Sequence, residues 1–462
     1  MTSFVDAPVA FYQRRLYTEF AVAGWSNWAV PLGWRIGGEV DRGTVLAAVD
    51  AAFQRHEALR TTIVEADGEL CQRIWAFEPP SIAEVSIRSA SSMDDDAAYA
   101  AVADAVSAPF EVTGRLSRVS LFRAGEDDQL LLFVMHHAIV DGWSCMVLDA
   151  ELRVALAARP GEAPAPLAPA AQMRDYVELE RAGDATRQAA YLRPRIAPTT
   201  LRRRLRRQER PVDASADCLA VVNSSPVDMS VVRRLDELTA QVRSTRAMTM
   251  LAALAGAYSP WAVDALRIGV LHANRFPPQL EGAVGQIAMA LPLRVPVTDE
   301  LTFRELLAFV RREWLDVLAR RVQATAFEQL AGTTGLGTAT TFDTMVNVLP
   351  SVSYPPAAEP DSAGVRIRQY DVPWTLRRMR HHGVEMSPLP DLVAYAVEDG
   401  RLGVLAHTDG GSMPAAALEV LCAHIVGSID RLTRAPDRPL RETLAERVAV
   451  PGLDVELASA PA

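Results

Sequence analysis

Residues 130–144, LLLFVMHHAIVDGWS, change from an apolar run to a polar loop and then to a helical pattern. The continuous apolar run at 130–135 is typical of a strand buried on both faces. Two adjacent histidines follow where the strand should leave its sheet, and Asp141-Gly142 is a turn signal. A helix is predicted from Trp143 to about residue 158. A chain with this stretch must fold with a buried strand, a reactive loop and a helix in immediate succession.

The two histidines of this loop cannot have the same role, because neighbouring side chains in a strand point to opposite faces. One is expected to face a cavity and the other to pack. The first backbone N–H groups of the following helix, with its positive dipole end, point back toward them. A neutral imidazole beside such donors can take a proton from a nucleophile while negative charge builds on a carbonyl oxygen.

The size and charge of the chain limit the classes of protein to which it can belong. Its 462 residues are too many for one hydrophobic core and suit two large lobes. A formal charge of −10 argues against a general nucleic-acid-binding protein. The start has no signal-peptide pattern, and no apolar run is long enough to span a bilayer. We therefore expect a cytoplasmic protein that binds neither nucleic acid nor membrane.

Cysteine and histidine spacing gives no sign of a metal site. The four cysteines form no CxxC pair, which fits reduced thiols. Cys145 lies near the histidine pair but on the predicted helix, so core packing is favoured over a nucleophilic role. His381-His382 lies in a basic segment without carboxylates at ligand spacing. We predict no metal site.

Strand and helix patterns alternate through the whole chain. Hairpin signals at Asp67-Gly68, 125–128 and Asp399-Gly400 separate strand patterns, and amphipathic helix patterns occupy 302–321 and 413–432. This order predicts an α/β (mixed α+β) layered fold that is not doubly wound. Linker composition at 160–169 and the basic run LRRRLRRQER at 201–210 place the lobe boundary in this region. We predict an N-terminal lobe at 1–180, a C-terminal lobe at 181–440 and a flexible tail at 441–462.

Several stretches together resemble one family. The sequence MHHAIVDGWS resembles the HHxxxDG signature of non-ribosomal peptide synthetase condensation domains, which are chloramphenicol acetyltransferase-like acyltransferases. RHEALRT at 55–61 matches a second signature, RHExLRT, at every fixed position. Partial matches lie at 11–19, 172–180, 274–294 and 323–330, in the family's order. The resemblance covers roughly residues 9–440.

The sequence departs from the family's pattern in its second half. Residues 287–290 replace the usual Phe-Val-Asn-Thr, so that Met289 stands where the family has a polar asparagine. The seventh signature, RDxSRNPL, is not recognisable. Asn347 stands where the family has a polar residue near its active-site tunnel. These departures put the family's usual contacts on the acceptor side in doubt.

The resemblance implies two acetyltransferase-like lobes in a V, with an active-site tunnel between them. It implies that His137 is catalytic, taking the proton from the nucleophile or holding the nucleophile, and that His136 is structural. Asp141 is expected to cap the helix and to pair with an arginine, Arg294 or Arg60. Gly142 would donate its N–H to the oxyanion. The side chains expected to line the tunnel or contact substrate are Trp143, Ser144, Met289 and Asn347.

The function implied is that of a free-standing condensation enzyme that forms an amide or ester. No cofactor would be bound; the acyl donor would arrive on the 4′-phosphopantetheine of a separate carrier protein. The acceptor would be a small molecule or carrier-bound, and the protein a monomer. Two alternatives stay open: an acyltransferase that uses coenzyme A or acylates a polyketide hydroxyl, and a non-catalytic relative that docks carrier proteins. The RHExLRT and NRFPPQLEG stretches weigh against the former, and His137 with Asp141 against the latter.

Overall fold

The computed structural model describes residues 3–22, 29–37, 40, 42–111, 113–125, 128–157, 167, 169–201, 204–205, 220–331, 341–349, 366–370, 389–396, 402–409, 415–444 and 453–454. Most of the basic run at 201–210 lies outside these residues, as do segment 377–383 with His381-His382 and the Asp399-Gly400 turn.

The described helices include the two predicted from amphipathic patterns at 302–321 and 413–432, with bounds that differ by one or two residues. The described helices are α1 (Phe11–Val22), α2 (Arg42–Arg55), α3 (Asp96–Ser107), α4 (Gly142–Leu156), α5 (Met173–Arg181), α6 (Ala185–Ile196), α7 (Met229–Gln241), α8 (Arg246–Ala257), α9 (Phe303–Ala319), α10 (Thr325–Ala331), α11 (Ala415–Arg434) and α12 (Leu440–Thr443).

The described strands include the predicted ones and several that the sequence patterns did not indicate. They are β1 (Phe4–Pro8), β2 (Ala29–Gly37), β3 (Thr61–Ala66), β4 (Glu69–Trp75), β5 (Ile82–Ser86), β6 (Ser117–Ala124), β7 (Asp128–His136), β8 (Arg204–Leu205), β9 (Ala220–Val227), β10 (Ala265–His272), β11 (Met289–Pro296), β12 (Thr344–Val348), β13 (Arg366–Tyr370), β14 (Asp391–Ala396), β15 (Leu402–Asp409) and β16 (Leu453–Asp454).

The chain divides into two units that do not follow the sequence continuously. The first unit comprises Met1–Ala182, Ala273–Ala288 and Ser353–Met379, and the second comprises Gly183–His272, Met289–Val352 and Arg380–Ala462. The first boundary lies near the predicted one. However, the segment Ala273–Ala288, here called the return segment, belongs with the first unit although the sequence division put it in the C-terminal lobe.

The first unit is built on a five-stranded sheet with β7 at its centre. The strand order is β13-β2-β7-β6-β5, and β7 pairs antiparallel with both β2 and β6. Every side chain at 130–135 is at most 1% exposed, as expected for a strand covered on both faces. Phe133 packs edge-on against Trp34, with ring centroids 5.4 Å apart. The central strand therefore ends in a rigid core, and the residue after it is firmly placed.

The second unit is built on a six-stranded mixed sheet. The order is β11-β10-β12-β14-β15-β9; β12 is parallel to both of its neighbours, while the other pairs are antiparallel. Helix α8 packs on α9 and on α11, and all three helices pack against this sheet. Helices that alternate with strands along the chain and pack against its sheets confirm the predicted mixed α/β class. Among the described helices, none combines the length and apolar character that a membrane crossing requires.

The segment at 441–462, predicted to be a flexible tail, begins within a short helix. The helix α12 spans Leu440–Thr443, and the side chains of Leu440 and Leu444 are 1% and 4% exposed. Further on, β16 pairs with β8. Short segments without periodicity can be held in place by burial of a few leucines, which pattern analysis does not detect.

Candidate active site

The histidine pair lies where the central strand of the first unit ends. His136 is the last residue of β7 and is fully buried. Its Nδ1 accepts a hydrogen bond from the N–H of Ala138 at 3.0 Å, and its ring packs edge-on against Phe110. Burial and the neighbouring His137 lower the pKa of His136 to about 3, so this ring is neutral at physiological pH. Its surroundings are those of a packed side chain.

His137 differs from its neighbour in exposure and in partner. It is the first residue after β7, and its side chain is partly exposed. Its Nδ1 lies 2.8 Å from Oε1 of Gln286 in the return segment. With Nδ1 bound in this way, Nε2 is the nitrogen that can take a proton from a reacting group.

Asp141 organises the loop from a fully buried position. Its side chain caps α4 by accepting the N–H of Ser144 at 2.8 Å. The guanidinium of Arg275 donates two hydrogen bonds to it, at 2.8 and 2.9 Å. The backbone N–H groups of Ile287 and Ala288 donate to the same carboxylate at 3.1 and 2.8 Å. One carboxylate thus ties the start of α4 to both ends of the return segment.

Burial acts to raise the pKa of Asp141, but Arg275 and the hydrogen bonds from Ser144 outweigh it and hold this pKa below its usual range. The carboxylate is therefore charged at neutral pH.

The predicted arginine partner of Asp141 was wrong. Arg60 donates to the carbonyls of Phe53 and Trp75, and Arg294 on β11 donates to the carbonyl of Ala197 in the second unit. Arg275 is the arginine that pairs with Asp141, because the return segment belongs with the first unit. The residue lies in the NRFPPQLEG stretch, so the sequence contained the partner although the pairing was assigned elsewhere.

Ser144 was expected to line the tunnel, but the structure buries it completely. Its Oγ donates to Asp141 at 2.7 Å and accepts the N–H of Gly285 at 3.0 Å. Its hydroxyl is used within the protein, so Ser144 belongs to the buried network and does not face substrate. Trp143 is partly exposed, and its indole N–H donates to the carbonyl of Glu281 at 2.8 Å.

The remaining predicted residues lie in different places. Gly142 is exposed as the first residue of α4, and no atom lies within 4 Å of the position that a Cβ would occupy there. Met289 at the start of β11 is 1% exposed, and Asn347 on β12 is half-buried. Both belong to the second unit. The oxyanion role of Gly142 and the substrate contacts of Met289 and Asn347 stay predictions.

Gln286 is the residue that sequence reasoning missed. It is 6% exposed, and besides its bond to His137 its Nε2 donates to the carbonyl of Ala288 at 3.2 Å. A polar residue directly after Gly285, in a segment otherwise apolar up to Leu293, was the available signal. Among the described residues no group of three or more His, Cys, Asp or Glu side chains is placed to hold a metal ion.

Most of the chain is similar to one family of known proteins. The family profile described as Condensation domain matches residues 5–364. Cyclosporin synthetase of Tolypocladium inflatum is 32% identical over 349 residues, which are 72% of this chain and 2% of that protein. Phosphinothricin tripeptide synthetase PhsC of Streptomyces viridochromogenes is 32% identical over 340 residues, which are 70% of this chain and 30% of that protein. The chain therefore spans a small part of the length of these relatives.

Solved structures agree on the fold. SgcC5 from Streptomyces globisporus has a TM-score of 0.71 at 18% identity, covering 94% of this chain and 100% of that one. The first condensation domain of the CDA synthetase has a TM-score of 0.70 at 16% identity, covering 95% and 98%. The X-domain from teicoplanin biosynthesis has a TM-score of 0.75 at 20% identity, covering 94% and 96%. Because the family profile matches residues 5–364, more than three quarters of the 462 residues, the chain belongs to the condensation-domain family.

Proposed function

We propose that the protein is an acyltransferase that joins a carrier-bound acyl or aminoacyl thioester to an amine or hydroxyl, forming an amide or an ester. The observation that carries this proposal is the placement of His137. Its ring follows a buried strand, is partly exposed, and has Nδ1 fixed by Gln286 at 2.8 Å. A general base needs this combination of access and fixed orientation.

The proposed reaction uses His137 as its base. Nε2 takes the proton from the attacking amine or hydroxyl, whose nitrogen or oxygen forms a bond to the thioester carbonyl carbon. The N–H of Gly142 at the start of α4 stabilises the oxyanion; a donor of this kind contributes about 3 kcal/mol. The carbon–sulfur bond then breaks, and the proton passes to the departing thiolate. His136, buried and neutral, supports the loop by packing.

The donor is proposed to be an acyl group on the 4′-phosphopantetheine of a carrier protein, and the reaction to serve non-ribosomal peptide or related natural-product synthesis. Membership of the condensation-domain family supports this assignment. A second candidate is an acyltransferase that uses coenzyme A. It is favoured by the starter condensation domain of rhizomide synthetase, which was solved in complex with C8-CoA and Leu-SNAC.

The test is mass spectrometry of acyl-loaded carrier proteins, added as separate chains, incubated with the protein and a panel of amines and alcohols. We expect His137→Ala to lower product formation by at least 100-fold, because general acid–base catalysis contributes 10²–10⁴-fold. Its melting temperature and its binding of the carrier should be unchanged. The matched variant His136→Ala should instead lower the melting temperature, since it opens a cavity beside Phe110.

The same assay separates the alternatives. Turnover by His137→Ala within a few fold of wild type would remove His137 from the chemistry. Higher rates with coenzyme A thioesters than with every carrier would favour the second candidate. Carrier binding without product for all acceptors would favour a docking role, and activity that requires a carrier on the same chain would overturn the expectation of a free-standing enzyme.

A further inference from the structure

We infer that Gln286 is a positioning residue for His137: its side-chain carbonyl holds the imidazole in one tautomer and one orientation. The inference rests on the function proposed above, but it concerns a hydrogen bond that can be observed without turnover. The contact joins Oε1 of Gln286 to Nδ1 of His137 at 2.8 Å. In the neutral ring one nitrogen carries the proton and the other accepts, and the partner of one nitrogen determines which is which.

The second contact of Gln286 fixes the direction of this hydrogen bond. Its Nε2 lies 3.2 Å from the carbonyl oxygen of Ala288, an atom that can only accept. The amide must therefore turn its NH₂ group toward Ala288 and its carbonyl toward His137. Nδ1 of His137 then carries the proton and donates it, and Nε2 carries the lone pair that base catalysis requires.

Hydrogen bonds hold the backbone in place on both sides of Gln286. Before it, the N–H of Gly285 donates to Ser144 Oγ at 3.0 Å. After it, the N–H groups of Ile287 and Ala288 donate to Asp141 at 3.1 and 2.8 Å. The buried carboxylate of Asp141 therefore orients His137 through Gln286, without touching the imidazole.

A neutral amide is suited to this task. The charged groups that hold the segment, Asp141 and Arg275, pair with each other, and His136 is neutral. A carboxylate in place of the Gln286 amide would also accept from Nδ1 but would stabilise the protonated imidazolium, which cannot act as a base. The amide fixes the tautomer without adding a charge.

The structural test is ¹⁵N NMR of histidine-labelled protein, with the His137 signals assigned by their loss in His137→Ala. Wild type should show the tautomer with the proton on Nδ1. Gln286→Glu should keep it, because the carboxylate accepts the same hydrogen bond. Gln286→Met, of similar size but without a strong acceptor, should give a mixture or the opposite tautomer. A proton on Nε2 in wild type, or an unchanged tautomer in Gln286→Met, would overturn the inference.

Activity gives a second readout, compared among variants with the melting temperature of wild type. Gln286→Met should lower kcat about 10-fold or more with KM within two-fold, as part of the 10²–10⁴-fold that general acid–base catalysis contributes. Gln286→Glu should recover near wild-type kcat at high pH, with the acidic limb of its rate profile moved to higher pH. Equal losses in both variants at every pH would contradict positioning. If no variant, wild type included, has activity, the proposed function fails while the NMR result still decides the role of Gln286.

Discussion

At the scale of single residues, the buried pair of Asp141 and Arg275 is expected to determine the stability of the first unit. The two side chains are 0% and 3% exposed, so neither charge can be solvated if its partner is lost. Removing one member of such a pair typically costs about 3–5 kcal/mol. We therefore predict that Arg275→Met lowers the free energy of unfolding by about that amount, as measured by urea denaturation.

The double variant Asp141→Asn/Arg275→Met is the control, because it removes both charges and should recover part of the loss. Additive losses in the double variant would mean that the two side chains do not stabilise each other. The stabilisation that the Asp141 carboxylate provides depends on pH in a definite direction. Since the folded-state pKa of Asp141 is lowered, the stabilisation is fully present above the unfolded-state value of about 4 and is lost as pH falls through the folded-state pKa.

At the scale of elements, two glycines in hairpin turns allow a matched comparison. Gly68 between β3 and β4 has a φ of 79°, and Gly125 after β6 has a φ of 65°. A Cβ on Gly68 would meet nothing within 4 Å, whereas a Cβ on Gly125 would lie 2.6 Å from the backbone carbonyl oxygen of Ser91. Gly68→Ala should therefore cost only the conformational penalty of roughly 1–2 kcal/mol.

Gly125→Ala should cost clearly more than Gly68→Ala, because it adds a clash with backbone that cannot rotate away. Melting curves and urea midpoints of the two variants, measured beside wild type, check the difference. Equal losses would mean that the Ser91 backbone shifts at little cost.

Element patterns in the sequence predicted most of the fold around the site. The apolar run became β7, Asp67-Gly68 became the β3–β4 hairpin, and Asp141 became the cap of α4. Periodicity works there because each of these features is local. It gave no indication of β1 or β5, whose side chains are mostly exposed and carry little hydrophobic alternation.

The candidate site was predicted less completely, because its contacts join distant parts of the chain. Asp141 and Arg275 lie 134 positions apart, and His137 and Gln286 lie 149 apart. A signature locates each partner in the sequence but not the pairing, so the sequence alone does not distinguish Arg275 from Arg294 or Arg60 as the partner of Asp141. Gln286 stands at a position where the family's signature fixes no residue type.

At the scale of the whole molecule, charge is expected to affect the rate at which the protein associates with the proposed donor carrier. If the proposed donor carrier is acidic near its modified serine, a protein with a net charge of −10 needs a local basic surface to bind it, and the runs at 201–210 and 377–380 are the two richest sources. We predict that rising salt lowers the rate with carrier-bound donor more than with a small pantetheine thioester, because charges at an interface rim act mainly on encounter.

The triple variant Arg202→Gln, Arg203→Gln and Arg204→Gln tests the basic run. It should reduce the difference in salt sensitivity between the two donors, measured as initial rates from low to high ionic strength. The same change at Arg88, Arg115 and Arg233, which are exposed, serves as a control for net charge alone. Equal salt responses of both donors in wild type would mean that docking is not electrostatic.

The return segment also sets an order of events during synthesis. A ribosome that has just incorporated Asp141 must add 134 further residues before Arg275 is part of the chain, which takes roughly 7–27 s at 5–20 residues per second. During that interval the nascent first unit holds a carboxylate without its counter-ion and a histidine without its glutamine. A fragment that ends at the first boundary, Ala182, lacks both Arg275 and Gln286 and should remain in this incomplete state, so we expect that cutting the gene there does not produce an intact first unit.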